Sequence, residues 1–295
     1  MGFSERDLRE LGSLAAGAAR EAGELIEQRV GSRFLVEGKE AGESLASQVV
    51  TEVDRLAEER ILRALEASIE AFGLGVLTEE RKDDGSRFER EAFWCIDPLD
   101  GTLPFIEGVA GYGVSIALVT RAGAPLVGVV YDPREDRLFE ATKGCGARVD
   151  GQVRRLPERP LGAEVLAVFS DRSSRDDPRH AAVLRDLEAV SGAGGISNTV
   201  GMGAALNACS VLRGGRSCYF KLPKAKRGGG SVWDFAASAC IVSEAGGVVC
   251  DLSGAALKLN PERSLFMNES GVLFASCEFL AERIRKTHSK IAQIG

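Results

Sequence analysis

The segment that most constrains this chain is Asp-Pro-Leu-Asp-Gly-Thr at residues 97–102. It follows an apolar run, residues 93–96, whose length and charged flank are typical of a short buried strand. Pro98 cannot donate to a sheet ladder and Gly101 permits a tight turn, so we expect both carboxylates to lie where this strand ends. Two carboxylates in one turn repel each other unless a cation lies between them, and oxygen ligands favour Mg²⁺ before Ca²⁺ or Zn²⁺. The alternative interpretation is an ordinary Asp-rich surface turn.

Three further segments place carboxylates at the predicted boundary of an element. Asp54 precedes an apolar-periodic stretch that predicts a helix, and Asp234 opens another predicted helix, over residues 234–245. Glu79 and Glu80 follow a short strand candidate. Helix capping explains Asp54 or Asp234 taken singly. It explains poorly why four separate segments all carry carboxylates at such boundaries, so we interpret them as one site.

Taken together, these segments resemble the inositol monophosphatase superfamily, which includes 3′(2′),5′-bisphosphate nucleotidases. The motifs stand in that family's order and at roughly its spacing: Val50-Thr51-x-x-Asp54, Thr78-Glu79-Glu80, residues 97–102, Trp233-Asp234-Phe-Ala-Ala237 and Glu244-Ala-Gly-Gly247. The resemblance implies Mg²⁺-dependent, lithium-sensitive hydrolysis of a small soluble phosphomonoester. Inositol monophosphate, fructose 1,6-bisphosphate and 3′-phosphoadenosine 5′-phosphate are the substrates it suggests.

The resemblance also implies a role for each matched residue. The implied ligands of two or three Mg²⁺ ions are Glu79, Asp97, the Leu99 carbonyl, Asp100 and Asp234, with Asp97 bridging two of the ions. The implied catalytic residues, which would position the attacking water, are Asp54, Thr102 and Glu80. The implied phosphate- and substrate-binding residues are Gly101, Thr102 and Ala204. Two metals about 3.5–4 Å apart activate water and neutralise the leaving oxygen, so a nucleophilic Ser or Cys is not required.

Two departures from the family pattern concern the substrate. Inositol-specific members carry an acidic residue after an aromatic pair, whereas Tyr219-Phe220 is followed here by Lys221. A basic, Gly-rich stretch then precedes Asp234; a solvated face is its ordinary interpretation, but its position favours a more anionic substrate with a second phosphate. The candidate substrate-binding cations are Lys221, Lys224, Lys226 and Arg227. Nucleotide-type members often place a Lys after Asp-Gly-Thr, where this chain has Leu103, so the choice stays open.

Composition agrees with a cytoplasmic enzyme. The net charge of -6 argues against a nucleic-acid surface, and no apolar run approaches membrane-spanning length. Seven cysteines without a Cys-x-x-Cys pair suit buried thiols in a reducing compartment. Both histidines, His180 and His288, lie in charged stretches that we expect to be exposed, away from the chemistry. A homodimer is expected from the resemblance alone.

The predicted elements divide the chain into two halves. Residues 1–155 give two helices and a series of strands joined by turns, which indicates an α+β half with an antiparallel meander and most of the metal ligands. Residues 156–295 alternate strands and helices, which indicates an α/β half that carries Asp234. The best boundary is the aperiodic stretch 154–162, with two prolines. The resemblance implies that the halves form a layered α-β-α-β-α sandwich.

Other interpretations are weaker. In phosphatases with the signature Asp-x-Asp-Gly-Thr the first Asp attacks phosphorus, but that position is Pro98 here. A non-catalytic metal- or phosphate-binding regulator would be indicated by a missing ligand, and the set is complete. Residues 201–205 lack the third Gly of a dinucleotide fingerprint, and residues 228–230 lack a P-loop ending. We expect Trp94 and Trp233 in the core.

Overall fold

Helical layers alternate with two β-sheets in the computed structural model, which describes residues 2–32, 36–38, 49–157 and 165–293. The described helices are α1 (Glu5–Arg29), α2 (Glu52–Phe72), α3 (Ser86–Glu89), α4 (Thr102–Ile106), α5 (Pro178–Ser191), α6 (Ala204–Cys209), α7 (Val232–Glu244) and α8 (Glu278–Ala292). The described strands are β1 (Val36–Gly38), β2 (Val49–Thr51), β3 (Gly75–Thr78), β4 (Ala92–Asp100), β5 (Gly113–Thr120), β6 (Pro125–Asp132), β7 (Arg137–Thr142), β8 (Ala147–Val149), β9 (Gln152–Arg154), β10 (Leu166–Ser170), β11 (Ile196–Val200), β12 (Ser217–Lys221), β13 (Val248–Cys250) and β14 (Val272–Ala275).

A seven-stranded sheet in the order β3-β4-β5-β6-β7-β8-β9 forms the N-terminal layer. β3 pairs with β4 in parallel, and every later neighbour is antiparallel. Helices α1 and α2 cover one face, because each presents a stripe of buried apolar residues at helical spacing. Both helices begin at a capping box, Ser4 with Asp7 and Thr51 with Asp54, which satisfies the first backbone amides.

A five-stranded sheet in the order β11-β10-β12-β14-β13 forms the C-terminal layer. Its outer face packs against α5 and α8, and α6 and α7 lie between the two sheets in a shared core. Gly128 on β6 permits this contact, since a Cβ there would collide with the Ala237 carbonyl on α7. The layers therefore follow the order α-β-α-β-α, which confirms the predicted fold class.

The predicted elements are mostly present, with three kinds of difference. β4 continues through Pro98 to Asp100, so the strand is longer than predicted, and both carboxylates lie in its last four residues. The short elements α3, α4, β1, β2, β9 and β13 were missed, because three to five residues carry little periodicity. The predicted boundary at 154–162 lies outside the described residues from 158 onward, and the division at residue 155 stays a prediction.

The cysteines and the helices bear on two expectations from the sequence, buried thiols and the lack of a membrane-spanning segment. The seven cysteines all fall in the described part of the chain as free thiols, six of them buried. Across residues 2–32, 36–38, 49–157 and 165–293, none of the helices has the length and apolar character needed to cross a membrane.

Candidate active site

Three carboxylates from distant segments of the chain converge at one place. Glu79 follows β3 and its amide donates to the Ile96 carbonyl at 3.2 Å, which places it beside Asp97 on β4. Asp234 lies in the first turn of α7, where its carboxylate accepts the Ser231 amide at 2.7 Å. The ligand oxygens of Glu79, Asp97 and Asp234 all lie within 4.8 Å of one another. This cluster is the centre of the candidate site.

A β-bulge in β4 turns both of its aspartates toward this centre. Asp97 pairs with Ser115 and Asp100 with Gly113, so three steps on β4 oppose two on β5. Residues three apart normally face opposite sides of a sheet, and the extra residue puts Asp97 and Asp100 on the same side. The Leu99 amide donates to Asp97 Oδ1 at 3.0 Å inside the bulge. Pro98, with no amide hydrogen to pair, suits this interruption.

Asp100 joins the first half of the chain to α6. Its two carboxylate oxygens accept the amides of Ala204 at 3.0 Å and Ala205 at 2.7 Å. Both oxygens keep a free lone pair for a metal, since a carboxylate offers about four acceptor sites. Gly203 lies so close to Asp100 that an added Cβ would overlap the carboxylate.

Gly203→Ala should therefore weaken metal binding. The Cβ would displace the Asp100 carboxylate while leaving the ordinary backbone angles of residue 203 acceptable, because Gly203 has φ -57. We expect the Mg²⁺ concentration for half-maximal activity to rise by about tenfold, as for loss of a supporting contact. Gly17→Ala in α1, where a Cβ meets open space, is the matched control and should leave it unchanged. An unchanged Mg²⁺ requirement in Gly203→Ala would contradict the role of Asp100.

Asp54 and Thr102 form a hydrogen-bonded pair beside the bulge. Asp54 Oδ2 accepts both the amide and the hydroxyl of Thr51, at 2.8 and 2.5 Å, so capping of α2 fixes the carboxylate. The Thr102 hydroxyl lies 3.3 Å from Asp54 Oδ1 and 3.3 Å from the Leu99 carbonyl oxygen. Asp54 is both a member of the α2 capping box and a neighbour of the predicted metal ligands.

The backbone turn after the bulge borders the cavity. Gly101 has φ +90, and a Cβ there would lie 2.7 Å from the Gly111 carbonyl oxygen. This conformation starts α4 at Thr102, and the first amides of a helix have no partner within it. Gly101 and Thr102 line the cavity. Their placement agrees with a predicted phosphate-binding role.

Burial and mutual repulsion make the carboxylates of the cluster harder to ionise. Burial, followed by the charges of Glu79, Asp234 and Asp100, raises the pKa of Asp97 well above its usual range. Burial and the Asp234 carboxylate likewise raise the pKa of Asp100, and burial is the largest cause of the raised pKa of Asp234. A buried set of oxygen-only donors that repel one another fits a hard divalent cation such as Mg²⁺.

A cavity of about 470 Å³ opens above the carboxylates. Two ion pairs that the sequence did not predict lie in the wall of this cavity. Arg172 binds Glu107 through two contacts of 2.6 and 2.5 Å, and Asp171 binds Lys221 at 2.7 Å. Asp171 follows the end of β10, so the signal used for Glu79 could have found it. Arg172 and Glu107 had no such signal, because nothing local links residues 65 positions apart.

The remaining predicted site residues lie at different distances from the cavity: some line it and others are on the surface. Ala204 and Lys221 line the cavity, whereas Lys224 lines a smaller neighbouring pocket. Lys226 and Arg227 are exposed, and the Arg227 guanidinium lies 5.2 Å from the centre of the Phe266 ring. Glu80 is half-buried, with its amide 3.3 Å from the Thr78 hydroxyl.

One expectation about an aromatic side chain was wrong and one was met in part. Trp233 is half-buried: it packs against the core between the sheets and also lines the cavity. His180 is buried, not exposed: its ring stacks on Phe220 at 4.9 Å and its Nε2 lies 3.2 Å from the Ser170 hydroxyl. His288 is half-buried. Trp94 is fully buried, as expected.

The fold and the cluster together define a layered α-β-α-β-α protein that brings together carboxylates able to hold a metal ion. The model of the inositol monophosphatase family matches residues 7–293. The Nus factor SuhB of Pasteurella multocida is 34% identical over 245 residues, covering 82% of this chain and 85% of that protein. Inositol monophosphatase 1 of Rattus norvegicus is 31% identical over 272 residues, covering 91% and 90%. The chain belongs to the inositol monophosphatase family.

A solved structure agrees with this assignment at the level of the fold. The IMPase of Thermotoga maritima superimposes with a TM-score of 0.75 over 97% of this chain and 99% of that one, at 24% identity. At this identity the likeness concerns the architecture of the layers, and the chemistry must be argued from the residues of the site.

Proposed function

We propose that this protein is a Mg²⁺-dependent phosphatase that hydrolyses a small soluble phosphomonoester of the inositol monophosphate type. The observation that carries the proposal is the approach of Glu79, Asp97 and Asp234 oxygens to within 4.8 Å from three separate segments. These residues repel one another in the folded protein, so they are arranged for a bound cation and not for stability.

The residues would divide the work as follows. Glu79, Asp97, Asp100, Asp234 and the Leu99 carbonyl would hold Mg²⁺, which when bound would activate water and neutralise charge at phosphorus. Asp54, fixed by Thr51, and the Thr102 hydroxyl would orient the attacking water and accept its proton. The amides of Gly101 and Thr102 would donate to phosphate oxygens and hold phosphorus in line.

Two alternatives have some support. A 3′(2′),5′-bisphosphate nucleotidase acting on 3′-phosphoadenosine 5′-phosphate is favoured by Lys221, a cation where inositol-specific members carry an acid, although its pairing with Asp171 reduces that charge. A non-catalytic metal- or phosphate-binding regulator is suggested by relatives named Nus factor SuhB. The complete carboxylate set favours catalysis over the regulator.

The test is a phosphate-release assay with inositol 1-phosphate, fructose 1,6-bisphosphate, 3′-phosphoadenosine 5′-phosphate and a NADP-type 2′-phosphate. We expect release from at least one substrate that requires Mg²⁺, stops with a chelator and is inhibited by lithium. Asp54→Asn, which keeps the capping geometry, is the catalytic control and should release phosphate about a hundredfold more slowly than the wild type. Wild type as inert as Asp54→Asn on all four substrates would support the regulator and contradict the phosphatase.

A further inference from the structure

A second, smaller pocket adjoins the main cavity on the side where Lys221 lies. Its volume is about 40 Å³, which is room for about three water molecules or one phosphate group. Four residues line both cavities and so connect them: Asp171, Ser173, Lys221 and Gly229. We call this space the side pocket.

The side pocket is positively charged, unlike the carboxylate floor of the main cavity. Three cationic side chains, Arg179, Lys221 and Lys224, line it against two carboxylates, Asp171 and Asp177. Both carboxylates are already engaged by cations: Asp177 Oδ2 lies 2.8 Å from Arg179 and Asp171 Oδ2 lies 2.7 Å from Lys221. This leaves one positive charge in excess, on Lys224.

Hydrogen bonds with Asn268 fix the backbone of Lys224 beside the side pocket. The Lys224 backbone amide donates to the Asn268 carbonyl at 2.8 Å, and the Asn268 side-chain amide donates back to the Lys224 carbonyl at 3.0 Å. Its ammonium group lies against Gly229, where an added Cβ would overlap it. Among the described residues, no carboxylate forms an ion pair with Lys224. Burial and the nearby Lys221 ammonium lower the pKa of Lys224, a cost that a bound anion would offset.

We propose that the side pocket is a subsite for a second anionic group of the substrate, which favours the bisphosphate alternative over an inositol monophosphate. The inference rests on the proposed function of the main cavity, which would take the phosphate that is removed. The second phosphate would accept hydrogen bonds from Lys224 and from the hydroxyls of Ser173 and Ser174, which line the same pocket. Lys226 and Arg227 lie outside both cavities, so not every cation of this loop takes part.

The test compares binding of matched pairs, fructose 1,6-bisphosphate against fructose 1-phosphate and 3′-phosphoadenosine 5′-phosphate against adenosine 3′-phosphate. Calorimetry with Ca²⁺ in place of Mg²⁺ measures binding with little turnover. In the wild type we expect at least one bisphosphate to bind about tenfold tighter than its partner, from one added charge-assisted contact. Lys224→Gln should remove this preference. Lys226→Gln, an exposed lysine two positions away, should change the preference less than about twofold, as for a screened surface charge.

The outcomes separate this inference from the proposed function. A wild-type preference that survives Lys224→Gln, or equal losses in Lys224→Gln and Lys226→Gln, would overturn the side pocket even if the protein is a phosphatase. Equal affinities within both pairs in the wild type would overturn it without any variant. A preference that depends on Lys224 in a protein that releases no phosphate would retain the side pocket and overturn the phosphatase.

Discussion

Asp97→Asn should lower kcat by about a thousandfold at saturating Mg²⁺, since Asp97 is the predicted bridging ligand and its charge would act on two metals at once. The substitution keeps the size of the side chain and an oxygen that can accept the Leu99 amide, now at 3.0 Å. The loss should therefore come from metal binding and not from the fold. Phosphate release under saturating Mg²⁺ measures it, and more than a few per cent of wild-type kcat would contradict the assignment.

The same variant should be more stable than the wild type when metal is absent. A carboxyl group whose pKa is raised on folding binds protons more tightly in the native state, so stability falls as pH rises from about 3.9 through the raised native value. Asp97, Asp100 and Asp234 are all in this position. In a chelator, the wild-type Tm should fall between pH 5 and pH 7, and Asp97→Asn should reduce that fall.

Magnesium should reverse this loss of stability much more in the wild type than in Asp97→Asn. At pH 7 we expect added Mg²⁺ to raise the wild-type Tm, because a cation that binds only the folded state stabilises it. Asp97→Asn should show a much smaller rise. Equal Mg²⁺-induced shifts in the two proteins would mean that the cation binds elsewhere.

Thr102→Val and Asp54→Asn should each lower kcat by about a hundredfold, because the two side chains together orient the attacking water and accept its proton. Valine keeps the branched shape of Thr102 but cannot bridge Asp54 and the Leu99 carbonyl. Asparagine can still accept from Thr51, so α2 should remain capped. KM should change little for either variant, because neither side chain is assigned to ground-state binding of the phosphate.

The double variant tests whether the two residues act together. Groups that work as one unit are non-additive, so Thr102→Val with Asp54→Asn should lose about as much kcat as either alone. Thr120→Val, at the opposite end of β5 from the site, controls for loss of a threonine hydroxyl and should keep wild-type kcat. Losses that multiply in the double variant would show that Asp54 and Thr102 act independently.

Features that span many residues were predicted better from the sequence than features that depend on a few residues. The long helices and strands were predicted well, because a repeating apolar face fixes which side of an element is buried. The bulge in β4 was not, because Pro98 reads locally as a strand end, whereas pairing with β5 carries the strand past it. His180 was misplaced for a similar reason, since its charged neighbours in sequence suggest exposure, whereas the fold buries its ring against Phe220.

The sequence by itself determined which residues carry the candidate chemistry, since the carboxylates lie in short motifs whose order is written along the chain. It also determined the order of elements, through periodicity and turn residues. Only the tertiary structure decided which side chains meet. Asp100 accepts amides from residues 104 and 105 positions away, and Lys224 enters a pocket that Lys226 does not. The physical reason is that these contacts form only when the layers pack together. The local sequence shows which face of an element is apolar, but not which other element packs against that face.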